Sequence, residues 1–307
     1  MRGRPPPPRT QAGIALVLVL WVLALLTVIA GSLVFSSRTE LLVAGNVASL
    51  AQAEALADAG VHRAIFELAR PPTDLARWKG DGTEHAWQHG GGELRVTIRD
   101  ESAKVDLNAA PPLLLKGLFR TAGLGEIEAD ALGDAVADWR DPDDLRGANG
   151  AERGDYAAAG RNYGPANMPF ETTEELRLVL GMSDALYRRL ESLVTVHSRL
   201  AGINAAVAPR EVLLALPGAT AAMVDAFIEQ RQALLAQGLP APPFPAAQGL
   251  AANATGSTYG IQVRVVLGNN ARFSREAVVR MTANVYEPAT ILAWRAPTGS
   301  PGAGPSN

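Results

Sequence analysis

The chain has 307 residues, no cysteine, 28 Lys and Arg against 31 Asp and Glu, and a formal net charge of -3. Absence of cysteine excludes disulfides and thiolate-held metals, and the near-balanced charge leaves no electrostatic footprint for nucleic acid. The length allows one large domain or two smaller ones with substantial cores.

Arg2, Arg4 and Arg9 precede an uncharged apolar run over residues 14–35, and Arg38 follows it. About 22 residues at about 1.5 Å of rise each cross a hydrocarbon core of about 30 Å. A cleaved secretory signal has an apolar region of only about 7 to 15 residues ending at a small-x-small site. Here the run continues into an amphipathic pattern, with Val47, Leu50, Ala57, Val61, Ile65 and Leu68 recurring near the helical period until Pro71-Pro72. This predicts one helix from 14 to about 70, lipid-soluble all round in its first third and buried on one face thereafter. Basic residues without acidic ones before the span place the short N-terminus in the cytoplasm and the bulk across the membrane.

The basic leader, Gly13 and an apolar helix turning amphipathic resemble the N-terminus of type IV pilins and type II secretion pseudopilins, which a prepilin peptidase cuts after the glycine. The resemblance implies a leader at 1–13, a processing site at Gly13 and Ile14, and a transmembrane segment at 14–35. Most members of that superfamily carry glutamate at the fifth mature position, where this chain has Leu18. A lone carboxylate in hydrocarbon is costly unless paired, and in the superfamily it is taken to meet the terminal amine of the adjacent subunit. A subunit without it suits the end of a filament, and the absence is characteristic of the K-type minor pseudopilin, the general secretion pathway protein K family. On this segment alone, a plain single-pass anchor is the competing reading.

From Pro72 to Gly92 the chain reads as a loop rich in Gly, Trp and His. Leu94, Val96 and Ile98 then alternate with Arg95, Thr97 and Arg99 as a half-buried strand. Residues 105–196 read as helices separated by Gly, Pro, Asp and Asn clusters. Alternation returns over 259–267 and 273–285 around an Asn269-Asn270 turn, with a short strand at 291–294. Residues 296–307 form a Pro/Gly/Ser tail expected to be disordered.

Strands at both ends with helices between predict an α+β fold. A long N-terminal transmembrane and amphipathic helix packs on a small antiparallel, pilin-like sheet interrupted by a large all-α domain. The expected parts are 36–101 and 251–296 for the pilin-like domain, 102–250 for the inserted α-domain and 297–307 for the tail. This layout again resembles the K-type pseudopilin. Within the insert, residues 105–110, the leucine-rich helix at 113–118 and Gly123-Leu124-Gly125 match residues 202–206 and 213–218, each copy continuing into a helix at 127–139 or 221–232. The second copy resembles a helix-hairpin-helix element, which raises a membrane-anchored DNA or substrate receptor as the alternative function. Against DNA, residues 216–220 carry no Lys or Arg and the next helix holds Asp225 and Glu229, whereas phosphate binding draws on basic side chains.

The densest polar chemistry is Asp138-Trp139-Arg140-Asp141-Pro142-Asp143-Asp144, followed by Glu152, Asp155 and Asn167 among glycines. Hard cations such as calcium take about six to eight oxygens, and a Gly-rich loop can gather them, although the spacing does not fit an EF-hand. Alone, the cluster reads equally well as a solvated acidic loop with Asp-capped turns. The runs DWRDPDD and GAERGDY, Tyr163, and Ala166-Asn167 with Pro169 resemble the signature of the K-type α-domain, which implies calcium. The resemblance carries over Asp141, Asp143, Glu152 and Asn167 as ligands, with Asp138 as a further candidate and Trp139 as core.

Two catalytic motifs fail on context. His89-Gly90-Gly91-Gly92 looks like an oxyanion loop and Gly181-Met182-Ser183-Asp184-Ala185 like a nucleophile elbow, but an elbow needs a strand before its serine. Ser183 follows the helical run 174–180 and reads as the N-cap of a helix over 184–194. No catalysed reaction is expected. The resemblance implies a minor pseudopilin of the type II secretion system, in the inner membrane with its bulk in the periplasm. Its implied partners are the other minor pseudopilins, the major pseudopilin, prepilin peptidase and the inner-membrane secretion platform, with no nucleic acid.

Overall fold

The structure is a computed structural model, described for residues 12–74, 76–246, 249–252, 256–284 and 286–296. The leader up to residue 11 and the tail from residue 297 therefore lie outside the described residues.

The helix α1 runs from Ala12–Ala69 without a break. From Leu16 to Phe35 its large apolar side chains are exposed all round, as a lipid-facing segment requires, and Leu41, Leu42, Val43, Val47 and Leu50 remain exposed beyond it. Burial starts at Ala53 and continues through Leu56, Ala57, Val61, Ala64 and Ile65. Small residues on this stripe bring the backbone close to a sheet: a Cβ on Gly60 would lie 2.6 Å from a methyl of Val263.

That sheet has five antiparallel strands in the order β1-β2-β7-β8-β9. They are β1 Asp81–His89, β2 Gly92–Asp100, β7 Thr258–Leu267, β8 Arg272–Met281 and β9 Ala289–Arg295. Register sets Leu94 opposite Val265 and Val96 opposite Val263, so period-2 alternation turns one apolar face onto α1. Arg275 reaches from the same face of β8 to Glu54 at 2.7 Å and Asp58 at 2.8 Å, fastening the helix by charge.

β1 corrects the expected loop between Pro72 and Gly92. Its sequence DGTEHAWQH is polar on one face and carries His85, Trp87 and His89 on the other, so no aliphatic period announces it. Gly90 and Gly91, with φ of 55° and 79°, make the two-residue turn into β2. β8 stops at Met281 instead of running to 285.

The chain leaves this sheet after β2 and returns at β7. Asp100, buried, accepts from Ser102 N at 2.9 Å and Gly256 N at 3.0 Å, stapling the departing and returning segments together. Between them lie β3 Val105–Asp106, α2 Pro112–Thr121, α3 Glu126–Arg140, α4 Arg153–Ala158, a 3-10 turn Thr173–Leu178 and α5 Asp184–Leu190. Then follow β4 Val194–Thr195, β5 Ile203–Asn204, α6 Arg210–Leu214, α7 Ala221–Ala236 and β6 Ala251–Ala252. This helical region has a hydrophobic core of its own, from Val105 through Leu118, Trp139, Tyr156 and Leu190 to Phe244. It is not purely helical, because β3 pairs with β4 and β5 with β6 in short parallel ladders.

The internal repeat extends to its fastenings. In the first copy the Arg140 guanidinium donates to the carbonyls of Leu107 and Ala110. In the second, Arg231 donates to those of Ala205 and Ala208 at 2.7 and 2.9 Å. Each arginine ties the second helix of its unit to the corner before the first.

Candidate functional site

The acidic loop starts where α3 ends. Trp139 is core, 5.9 Å from the Phe170 ring and 6.3 Å from Tyr156, and this aromatic contact fixes the helix end from which Asp138 and Asp141 project. Tyr156 is fully buried and donates no charge to the loop: burial pushes its hydroxyl up to about 12, and its oxygen accepts from Leu180 N at 3.0 Å.

Asp138 is almost fully buried and accepts from Gly147 N at 3.1 Å on each oxygen. Gly150 packs so tightly there that a Cβ would fall 1.9 Å from Asp138 Oδ2, so only glycine fits. Asp134 accepts from Asn149 N and Nδ2, closing the other side of the loop. Asp138 thus shapes the loop with its carboxylate already engaged by backbone.

Asp141, Glu152 and Asn167 are different. Among the described residues, Asp141 Oδ1, both carboxylate oxygens of Glu152 and Asn167 Oδ1 are buried without a hydrogen-bond partner. Four orphaned oxygens from one loop are conspicuous, since buried polar atoms are nearly always paired. Asn167 sits at φ 50° and points its amide nitrogen at Asp143 O, 3.2 Å, and Asp144 Oδ1, 3.0 Å, which leaves its oxygen turned away. Burial first, then the charges of Asp143 and Asp138, pushes the Asp141 carboxyl above the usual range. Burial, then Asp138, Asp141 and Asp144, does the same to Glu152. These carboxylates therefore repel one another, and Arg140 offsets only part of this at Asp141.

Beside the unpartnered indole nitrogen of Trp139, the orphaned atoms of Asp141, Glu152 and Asn167 are all oxygen, the donor type that a hard divalent cation takes. Among the described residues no group of three or more His, Cys, Asp or Glu side chains is gathered tightly enough to hold a metal. The donors are two carboxylates and one amide, which fit such an ion as part of a coordination sphere that backbone or solvent oxygens complete. Asp143, inferred as a ligand by resemblance, spends Oδ1 on Leu145 N at 2.8 Å in a local turn. Asp144, outside that inferred set, orients Asn167 and faces Glu152 electrostatically.

The two catalytic look-alikes take structural places. His89 closes β1 ahead of the Gly90-Gly91 turn, and Ser183 Oγ caps α5 by accepting from Leu186 N at 3.2 Å. In the second hairpin Arg210 is held by Asp225 at 2.6 and 3.0 Å, and Gly218 turns at φ 78°. Gly13 and Ile14 lie in the opening turn of α1, and Leu18 is exposed on it.

A protein of Pseudomonas aeruginosa named type II secretion system protein K is 33% identical over 244 residues, covering 71% of this chain and 73% of its own length. The chain belongs to the type II secretion system protein K family. The family model for protein K matches residues 95–199, which include the acidic loop. The Klebsiella pneumoniae protein K is 32% identical over 200 residues, 59% of this chain and 61% of that protein. In structure, a chain of the GspK-GspI-GspJ complex from the enterotoxigenic Escherichia coli type 2 secretion system matches with TM-score 0.60 at 17% identity. That match covers 86% of this chain and 99% of the other, and shows a shared fold. The chain is thus a pseudopilin component of a secretion machine, and its apolar α1 fits a single-pass anchor.

Proposed function

We propose that this protein K is the minor pseudopilin at the tip of a periplasmic pseudopilus, needed for its assembly and for export of folded proteins across the outer membrane. The observation that carries the reading is Leu18, exposed on the lipid-facing part of α1 where a filament subunit would carry a carboxylate. With no carboxylate to meet the amine of a subunit ahead, the chain suits the first position. The helical region between β2 and β7 adds bulk that a narrow shaft cannot hold.

Under this reading prepilin peptidase cuts between Gly13 and Ile14, the segment 14–35 stays in the inner membrane, and the rest is periplasmic. The solved neighbour is a complex of GspK with GspI and GspJ, which supports other minor pseudopilins as partners here, alongside the major pseudopilin and the inner-membrane platform. Calcium bound in the loop would neutralise the facing carboxylates and give the orphaned oxygens a partner. Asp141, Glu152 and Asn167 would hold it, with Asp138 fixing the loop's course and Asp143 and Asp144 setting its rim.

The test is co-isolation of the full-length protein from detergent-solubilised membranes with each other pseudopilin of the same apparatus, in cells scored for exoprotein release. Stoichiometric recovery of minor partners, and loss of release on deletion, is expected. Recovery alone, with release intact in the deletion strain, would refute the role.

A further inference from the structure

We infer that the free edge of β1, beside the last turns of α1, receives an extended, carboxylate-bearing segment of another pseudopilin as a sixth strand. The inference rests on the assembly role proposed above and names a contact surface for it.

Two features meet there. The first is an open sheet edge. A bulge between Asp81 and Glu84 disrupts one end of β1, but from His85 to His89 the ladder to β2 is regular. Counting back from the two-residue Gly90-Gly91 turn, antiparallel alternation points the amides of Ala86 and Gln88 outward, and both residues are exposed. Among the described residues no strand pairs with this edge, and an edge of this kind is a template for strand addition.

The second is a rigid, positively biased aromatic floor. Trp78 stacks on His85 and Trp87 on His89, each pair with centroids 4.6 Å apart. The Arg63 guanidinium lies 5.5 to 5.8 Å from the rings of Phe66, Trp78 and Trp87. Phe66 is 58% exposed at the rim. Aromatic and arginine side chains held in place before contact are what interface centres are built from, because little rotamer freedom remains to be lost.

Charge selects the occupant. Residues 63–80 carry Arg63, Arg70, Arg77 and Lys79 against Glu67 and Asp74, whose ion pairs go to Arg63 and Arg70, with Arg77 also acting on Asp74 by charge. The acidic residues of β1 do not redress this: Glu84 is spent on Arg95 and Arg264 across the opposite face, and Asp81 caps Thr83 N. The other edge, β9, has a bulge opposite Val278 and Val279, and its one charged residue, Arg295, is already paired with Glu174 at 2.7 Å. The β1 surface also continues into the exposed apolar side of α1 at Leu41, Leu42 and Val47, along which a partner helix would run.

A photo-cross-linking amino acid placed at Gln88 or at Leu42 of the full-length protein, in cells carrying the complete apparatus, tests this by mass spectrometry of the joined peptides. Gln88 is expected to join a pseudopilin peptide containing Asp or Glu, and Lys79→Glu is expected to cut that yield at least tenfold while leaving Leu42 adducts unchanged. Pseudopilin adducts at Leu42 with none at Gln88, or Gln88 adducts indifferent to Lys79→Glu, would overturn the inference and leave the assembly role standing. Absence of pseudopilin adducts at both positions would overturn both.

Discussion

The two cores of this protein are closed by different means. The α1-sheet core is completed by the chain itself: Leu94, Val96, Val263 and Val265 meet Ala57, Val61 and Ala64, and the buried charge of Arg275 has Glu54 and Asp58 as partners. The helical core is equally well packed around Leu118, Trp139 and Leu190, yet its acidic loop leaves four buried oxygens without partners. A sheet strand satisfies its polar backbone by pairing, whereas a glycine-rich loop satisfies its carboxylates only where amides or an ion reach them. The first region therefore reads as a support closed by its own chain, and the second carries the oxygens that the proposed cation would join.

The largest effects are expected at two helix glycines, one in each core, that leave no room for a Cβ. A Cβ on Gly117 would lie 2.0 Å from the backbone oxygen of Ala215, where neither helix can yield. Gly117→Ala is expected to cost about 3 kcal/mol in urea titrations of the detergent-solubilised chain, and Gly60→Ala, which meets only a Val263 side chain, about 1 kcal/mol. Equal costs would mean that both cores yield alike.

Cation binding comes next. Calcium at about 100 times its Kd should stabilise the protein by about 2.7 kcal/mol, read as a rise in thermal midpoint reversed by chelator. Glu152→Gln should abolish most of that rise, while Arg275→Ala, in the other core, should keep it. Arg275→Ala is itself expected to lose about 2 kcal/mol, since Glu54 and Asp58 are half-exposed and water compensates part of the broken pairs.

The smallest effect is on pH dependence in chelator. Asp138, Asp141 and Glu152 have folded-state values raised above the ordinary 3.8 and 4.5. Their contribution is fully present below those ordinary values and is lost as pH rises through the raised ones. Cation-free protein should accordingly lose loop stability as pH climbs out of the carboxylate range, and Glu152→Gln should flatten that slope. A slope unchanged by this substitution would mean that Glu152 does not face the other carboxylates.

Much of the support was legible because it obeys periodicity. The apolar run and its amphipathic continuation mark α1, and alternation marks β2, β7 and β8. β1 was hidden because its half-buried side chains, His85 and Trp87, are not aliphatic, and the parallel pairs β3-β4 and β5-β6 are too short to show a period. In the loop, carboxylate density and the family resemblance together located the cluster, but not which oxygens stay unpaired. Asp143 turns back on Leu145 N and Asp144 takes the Asn167 amide, choices decided by loop geometry that spacing does not encode.

Membership of the pseudopilus requires α1 to be a processed helix. Intact mass and N-terminal sequencing of the protein from membranes of cells with and without prepilin peptidase test that most directly. A peptidase-dependent, N-methylated start at Ile14, abolished by replacing Gly13, is predicted. A Met1 start in both strains, or normal processing of a Gly13 variant, would contradict it.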